Sequence, residues 1–375
     1  MGYLSAMENY VVSARKYRPR GFDEVVGQEH ITTTLRNAIK NNHLAQALLF
    51  CGPRGVGKTT CARILSRVVN GFESEDVENT GALNIYELDA ASNNSVDDIR
   101  NLVDQVRYPP QQGKFKIYII DEVHMLSNAA FNAFLKTLEE PPSYAIFILA
   151  TTEKHKIIPT ILSRCQIFDF NRIQVSDIAG QLSNIAAQES VETEEAALHL
   201  IAQKADGAMR DALSIFDLMV TFSNDNRVTY QNVIDNLHIL DYDYYFRMVD
   251  HLVGEDISAS LLTFDDILKK GFDGHNFIVG LSEHLRNLLV CQDQETVQLL
   301  EVADETRQRY LQQANSVPTG WLLSGLHLAN QCDIQYKGSK NQRLHVELAL
   351  MKIAHLNRAF NLTQSSLAEI KKKVK

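Results

Sequence analysis

The run Gly52-Pro53-Arg54-Gly55-Val56-Gly57-Lys58-Thr59 satisfies GxxxxGK[ST] at every constrained position. Its chemistry follows from its residue types. Glycines let successive backbone N–H groups turn inward around anionic oxygens where a Cβ would clash. A helix that opens directly afterwards adds the partial positive charge of its N-terminus. Lys58 then reaches the outer phosphates of ATP, and Thr59 offers a hydroxyl to Mg2+. A glycine-rich turn that only joins strand to helix is the bland alternative, and the complete motif between a strand and a helix argues against it. Further on, Asp121-Glu122 closes an apolar run. Carboxylates at a strand end stand at the edge where open α/β sheets bind ligands. Asp121 is expected to hold Mg2+, largely through water, and Glu122 to polarise an attacking water as general base. Alone the pair would only cap a helix; beside the upstream loop it completes a phosphate site. Thr151-Thr152 follows another apolar run, where a hydroxyl would lie beside the carboxylates and sense the terminal phosphate. An isolated threonine there is more often a turn former.

These groups need a scaffold. Short apolar runs at 47–51, 83–88, 117–120, 145–150 and 166–170 read as strands, and 59–70, 96–107 and 128–139 as helices between them. Ser95 is a plausible N-cap, followed by Asp97 and Asp98 in the first turn. Continuous apolar strands separated by helices predict a mostly parallel α/β sheet covered on both faces. Beyond about residue 172 no strand signal remains. Segments 178–189, 194–204 and 211–222 read as helices, and the rest is helical too. Ile278, Leu281, Leu285 and Leu288 share one stripe; Leu344, Leu348 and Met351 share another. The expected domains are an α/β domain at 1–172, a small helical domain at 173–240, a larger helical domain at 241–362 and a basic tail at 363–375.

Composition narrows the class. The chain has 375 residues, 45% of them hydrophobic and 22% charged, which suits ordinary cores and excludes wholesale disorder. Its formal net charge of -9 excludes a uniformly basic nucleic-acid binder, so any DNA contact has to come from a local patch or from an assembly. Five scattered cysteines without a CxxC pair argue against both a zinc ribbon and a disulfide framework. No apolar run approaches the ~20 residues of a membrane helix, and no signal-peptide h-region opens the chain. A cytoplasmic setting is expected.

Further motifs carry a family resemblance. Ala14-Arg15-Lys16-Tyr17-Arg18-Pro19 with Phe22 and Val25-Val26-Gly27-Gln28 opens the pattern, and the loop at 52–60 follows. Leu88-Asp89-Ala90-Ala91-Ser92, Asp121-Glu122-Val123-His124-Met125-Leu126 and Phe134-Leu135-Lys136-Thr137-Leu138-Glu139-Glu140-Pro141-Pro142 continue it. Ser163-Arg164-Cys165 and Gly207-Ala208-Met209-Arg210-Asp211-Ala212-Leu213-Ser214 complete it. Together they resemble the AAA+ clamp-loader ATPases of the bacterial DNA polymerase III gamma/tau type, over about residues 10–356.

The resemblance implies a P-loop NTPase (AAA+) domain, a helical lid and an all-helical collar that holds subunits together. It implies that Arg164 acts in trans, as an arginine finger in a neighbouring subunit's ATP site. It implies that Arg210 contacts the nucleotide in cis from the lid, that Thr151 is the first sensor, and that Tyr17, Pro19 and Val26 line an adenine pocket. Thr60 belongs to the nucleotide loop. The implied activity is ATP hydrolysis that opens a sliding clamp and loads it on primed DNA, beside bacterial nucleoid DNA. Implied partners are delta and delta-prime subunits, further gamma copies, the sliding clamp and primed DNA, with no membrane. Arg100 is a candidate DNA contact on the helix after Ser95, and the Arg15, Lys16, Arg18, Arg20 cluster is another basic feature. No polymerase active site is visible, although the chain would belong to the polymerase holoenzyme.

Two departures stand out. Where the family carries a four-cysteine zinc module, 71–81 holds Glu73, Glu75, Asp76 and Glu78 and no cysteine, so no zinc site is expected. The chain also stops soon after the collar-like helices, which reads as gamma-like length, naturally short or truncated from a tau form. A non-hydrolysing structural subunit of the same loader, another DNA-associated AAA+ ATPase and a divergent paralogue are the alternatives.

Overall fold

The computed structural model describes residues 11–72, 84–111, 113–223, 225–237, 240–300, 302 and 304–358. Helices α1 (Ser13–Lys16) and α2 (Glu29–Lys40) precede strand β1 (Ala47–Cys51), every residue of which is buried. There follow α3 (Lys58–Asn70), β2 (Ile85–Asp89), α4 (Val96–Val106), β3 (Lys116–Asp121) and α5 (Asn128–Glu139). Then come β4 (Ala145–Thr151), α6 (Pro159–Leu162) and β5 (Gln166–Asp169). The sheet is parallel in the order β2-β3-β4-β1-β5. Alternate residues of the inner strands feed two apolar layers. Leu49, Tyr118, Phe147 and Leu149 pack with Ile99 and Leu102 of α4 and Phe131 and Phe134 of α5. Leu48, Phe50, Ile119 and Ile148 pack with Leu35 of α2 and Ile64 and Leu65 of α3. Burial on both faces is what allows unbroken apolar strands.

The strand order fixes the site. β4 lies between β1 and β3, so Thr151 pairs with Cys51, just ahead of the glycine loop, and lies beside the end of β3. Asp89 and Asp121 are register partners at the same edge. Ser95 caps α4 as expected, in a reciprocal capping box: its hydroxyl accepts from Asp98 N and its N–H donates to the Asp98 carboxylate, both at 3.2 Å.

Helices α7 (Val175–Gln188), α8 (Glu195–Lys204) and α9 (Met209–Phe222) complete the first compact unit, which ends at Val228. One correction concerns strands. The chain forms a further parallel pair, β6 (Glu192–Thr193) with β7 (Arg227–Val228). Two-residue strands are too short to leave a periodicity in the sequence.

The second unit begins at Thr229 and is helical: α10 (Tyr230–Leu237), α11 (Tyr242–Val253), α12 (Ile257–Lys269), α13 (Gly274–Val290), α14 (Asp304–Ser316), α15 (Thr319–Tyr336) and α16 (Gln342–Ala354). Ile278, Leu281, Leu285 and Leu288 form the fully buried stripe expected of α13. Of the stripe read on α16, Leu344 is 55% and Leu348 46% exposed, while Val346, Leu350 and Ile353 enter the core. α16 is apolar on more than one face, so spacing alone does not tell which one turns inward.

A buried polar network crosses this second core. His284 Nδ1 lies 3.0 Å from Tyr310 Oη and its Nε2 2.9 Å from Gln313 Oε1, and Gln313 Nε2 donates to Asp250 Oδ1 at 2.7 Å. Burial pushes the His284 imidazole down to about 4, the positive charge of Arg309 adds to this, and the Gln313 hydrogen bond opposes it. The depressed folded value means that the unfolded chain takes up a proton first as pH falls below about 6.5. Stability that is complete above that pH is therefore lost on acidification, by about 2 kcal/mol between pH 7 and pH 5 at ~1.4 kcal/mol per pH unit. Trp321, the only tryptophan of the chain, is buried in the same core and reports its unfolding. Denaturant titrations followed by its fluorescence should show the wild type losing that much more than His284→Gln over this interval. Parallel losses would refute the assignment.

Candidate nucleotide site

The glycine loop is held at both ends by backbone. Gly52 N donates to Thr151 O at 3.1 Å, and Gly57 N-caps α3 with φ +104°, a left-handed conformation that strains any residue with a Cβ. Gly55 solves a different problem. A Cβ there would stand 2.9 Å from Ala208 Cβ, so glycine lets the loop meet the chain entering α9. Arg210 N donates to Gly55 O across that approach, at 3.4 Å.

Lys58, only 6% exposed, donates from Nζ to Gly52 O at 2.8 Å and Pro53 O at 2.7 Å. Burial lowers its ammonium pKa, while the nearby Glu122 and Asp121 carboxylates oppose the shift. Thr59 Oγ1 donates to Asp121 Oδ2 at 2.7 Å, and Glu122 N donates to Asp121 Oδ1 at 2.9 Å. Glu122 itself has φ +48°, a left-handed backbone that is uncommon outside glycine and is found at functional sites. Its Oε2 accepts from Thr152 Oγ1 at 3.0 Å.

Thirteen of the residues expected from the sequence line one cleft of about 390 Å³: Tyr17, Pro19, Val26, Arg54, Gly55, Val56, Gly57, Lys58, Thr59, Thr60, Asp121, Glu122 and Arg210. Gly52, Pro53, Thr151 and Arg164 do not line it. Gly52 and Pro53 contribute through the carbonyls that hold Lys58. Thr151 is fully buried, and its hydroxyl is engaged by His124 Nδ1 at 3.0 Å and Glu153 N at 3.0 Å. Arg164 stands at the turn between α6 and β5. It is bonded to Thr160 O at 2.6 Å and paired with Glu139.

Sequence reasoning missed several lining residues. Asp89 had a usable signal, because it ends a strand exactly as Asp121 does in register. Gln181 of α7 had none, since tertiary packing alone brings that helix to the cleft, and Leu213 of α9 stood in the 207–214 motif without a role of its own. Arg18 was read in a basic cluster that the family resemblance assigns largely to structure around the nucleotide. It lines the cleft, where burial first, and then the charges of Arg63 and Arg210, lower its pKa. Tyr17 is tied to the helical end of this unit, donating to Glu189 Oε1 at 2.5 Å. Arg100 is exposed on α4 and pairs with Asp97 at 3.2 Å. The acidic stretch that replaces the zinc module, with Glu73, Glu75, Asp76 and Glu78, lies outside the described residues.

Three family models match the chain in succession. "DNA polymerase III, delta subunit" matches residues 27–174, "DNA polymerase III clamp loader subunit, ATPase lid domain" 177–225, and "DNA polymerase III subunits gamma and tau domain III" 228–367. The DNA polymerase III subunit gamma of Buchnera aphidicola subsp. Baizongia pistaciae is 33% identical over 93% of this chain and 98% of its own length. The chain belongs to the DNA polymerase III gamma/tau family. The Bacillus subtilis tau subunit is 38% identical over 92% of this chain and 63% of its own length. The Haemophilus influenzae tau/gamma subunit is 45% identical over 63% of this chain and 36% of its own length. The chain thus spans less than two thirds of these two longer relatives. Its first unit has the AAA+ arrangement, a parallel P-loop sheet followed by the lid helices, and its second is the gamma/tau helical domain. Gamma/tau subunits belong to the DNA polymerase III clamp-loader complex, and membership of this ATPase family implies nucleotide binding. Among the described residues, no helix is long and apolar enough to cross a membrane.

Proposed function

We propose that this chain is an ATP-hydrolysing motor subunit of the clamp loader, which opens a sliding clamp and places it on primed DNA. The observation that carries the reading is the convergence of Lys58, Thr59, Asp121 and Glu122 on one cleft, with Thr59 and Asp121 2.7 Å apart. A hydroxyl and a carboxylate are hard oxygen donors, and they fit Mg2+, which takes one or two protein oxygens and fills its shell with water and phosphate. Bound there, Mg2+ would neutralise charge on the outer phosphates. Lys58 binds those phosphates. Glu122 takes a proton from water and orients it toward the terminal phosphorus. Tyr17, Pro19 and Val26 bound the base. Arg210, tied to the loop through Gly55, brings α7–α9 onto the nucleotide as a lid. Arg164 acts on a neighbouring subunit's nucleotide, and Thr151 is the first sensor. The second unit is the collar that joins the chain to delta, delta-prime and further gamma copies.

A second reading has one observation in its favour, the delta-subunit description of the model that matches residues 27–174. A structural subunit would share the fold without turning over ATP. The experiment that separates the two is ATP turnover by this chain assembled with delta and delta-prime, with and without sliding clamp and primed DNA. Stimulation by both ligands supports the motor. Nucleotide binding without stimulated turnover favours the structural role or a divergent paralogue.

A further inference from the structure

The motif at 121–126 contains a histidine to which the proposed mechanism gives no role. His124 lies in the 3-10 turn Val123–Met125, and that turn starts from the left-handed Glu122 and is closed by Met125 N donating to Glu122 O at 2.8 Å. The turn folds the imidazole back against the end of β4, where its side chain is only 7% exposed. There it has three neighbours. Nε2 is 3.1 Å from Glu153 Oε2, Nδ1 is 3.0 Å from Thr151 Oγ1, and Nδ1 is 3.4 Å from Glu122 Oε2.

For the neutral ring, the donors and acceptors assign the tautomer. The Glu153 carboxylate only accepts, so Nε2 carries the hydrogen. Thr151 Oγ1 already accepts from Glu153 N at 3.0 Å, so its own hydrogen is free to go to Nδ1. Glu153 is in turn held by Lys156 Nζ at 2.6 Å, with His155 Nε2 3.8 Å away. Both edges of the imidazole are therefore pinned, and the ring cannot swing from the carboxylate it abuts.

The consequence falls on Glu122. Its contacts from this region all fall on one oxygen: Oε2 takes Thr152 Oγ1 at 3.0 Å and Thr152 N at 3.4 Å, and the His124 edge bounds it. Oε1 is left for the cleft that Glu122 lines. We propose that His124, pinned by Glu153 and Thr151, is a positioning residue that keeps Glu122 turned so that one oxygen is anchored and the other meets water. The inference rests on the reading of Glu122 as general base. It also gives Thr151 a route to that base, one contact away through the ring.

The test uses the full chain in its assembled loader, with ATP and Mg2+. His124→Ala is expected to lower kcat about tenfold or more, with nucleotide Kd and KM within about twofold, because binding groups are untouched. His124→Asn, which returns a polar group near the Nδ1 position, should recover part of the loss. Glu153→Ala should lower kcat in the same direction, and it serves if His124→Ala does not fold. In a Glu122→Gln background, His124→Ala should cost nothing further, because the residue it positions is already disabled. Normal kcat in both His124→Ala and Glu153→Ala overturns the proposal. So does a loss that is accompanied by weaker binding and lower Tm, or that adds in full to Glu122→Gln. A wild-type loader that does not hydrolyse ATP overturns the reading of Glu122 itself, a failure distinct from the others.

Discussion

Loaders built with Arg164→Ala are expected to bind ATP normally and to hydrolyse it ~10³-fold more slowly. That factor corresponds to about 4 kcal/mol of lost transition-state stabilisation. The size follows from what a guanidinium does at a transferring phosphoryl group: it supplies fixed positive charge where negative charge spreads, inside a site largely closed to water. The trans assignment has geometric support within one chain. Arg164 does not line its own cleft. It is anchored at the α6–β5 turn by Thr160 O at 2.6 Å, by Ser163 Oγ at 3.3 Å and by the Glu139 carboxylate, and it remains 32% exposed. These contacts hold the guanidinium near the surface but occupy it within its own chain, so reaching a neighbour's nucleotide requires the Glu139 pair to open. Mixed assemblies give the sharpest measurement. A single Arg164→Ala copy should silence the site of one neighbour while its own bound nucleotide is still turned over. Normal single-turnover rates in an all-variant loader would remove Arg164 from the chemistry.

The cleft edge of the sheet was legible in the sequence because its constraints are local. The loop at 52–59 needs glycines where the backbone turns through left-handed φ, and strands β1 and β4 beside it are buried at every position and apolar at all but Thr151, because both faces are covered. Asp121 and Glu122 were readable for the same reason, as the polar end of a buried strand. What stayed hidden depends on contacts between distant segments. Gln181 and Leu213 reach the cleft only because α7 and α9 fold over it, and neither stands out on its own helix. Thr151 was rightly placed at a strand end, but nothing local reveals that its hydroxyl is engaged by His124 while its neighbour Thr152 takes Glu122. On α16 the period was legible but not which face turns inward: Leu344 and Leu348 point out, and the smaller Val346 and Ala349 point in. Helical spacing says which residues share a face. It does not say which face meets the core when two are apolar.

Lys58→Ala is expected to weaken ATP·Mg2+ binding in its own subunit by 100-fold or more, about 2.7 kcal/mol. Lys58 lies beside the Asp121 and Glu122 carboxylates, and each of these charges acts on its ammonium. With alanine there, an incoming triphosphate meets two carboxylates without the cation that offsets them, in a site where burial strengthens every charge interaction. The loop itself should survive. Lys58 spans it through Gly52 O and Pro53 O, but the loop is independently fixed by the Gly52–Thr151 and Arg210–Gly55 backbone bonds, and alanine suits the first turn of α3. A fluorescent ATP analogue and thermal unfolding together make the check. In the wild type, saturating ligand should raise Tm, since a ligand at 100 times its Kd adds about 2.7 kcal/mol to the native state. In Lys58→Ala the free protein should melt close to the wild type while the ligand shift disappears. Affinity retained within about fivefold would mean that the phosphates are held by backbone N–H groups and arginines alone, and Lys58 would then be a structural tie across the loop rather than its phosphate ligand.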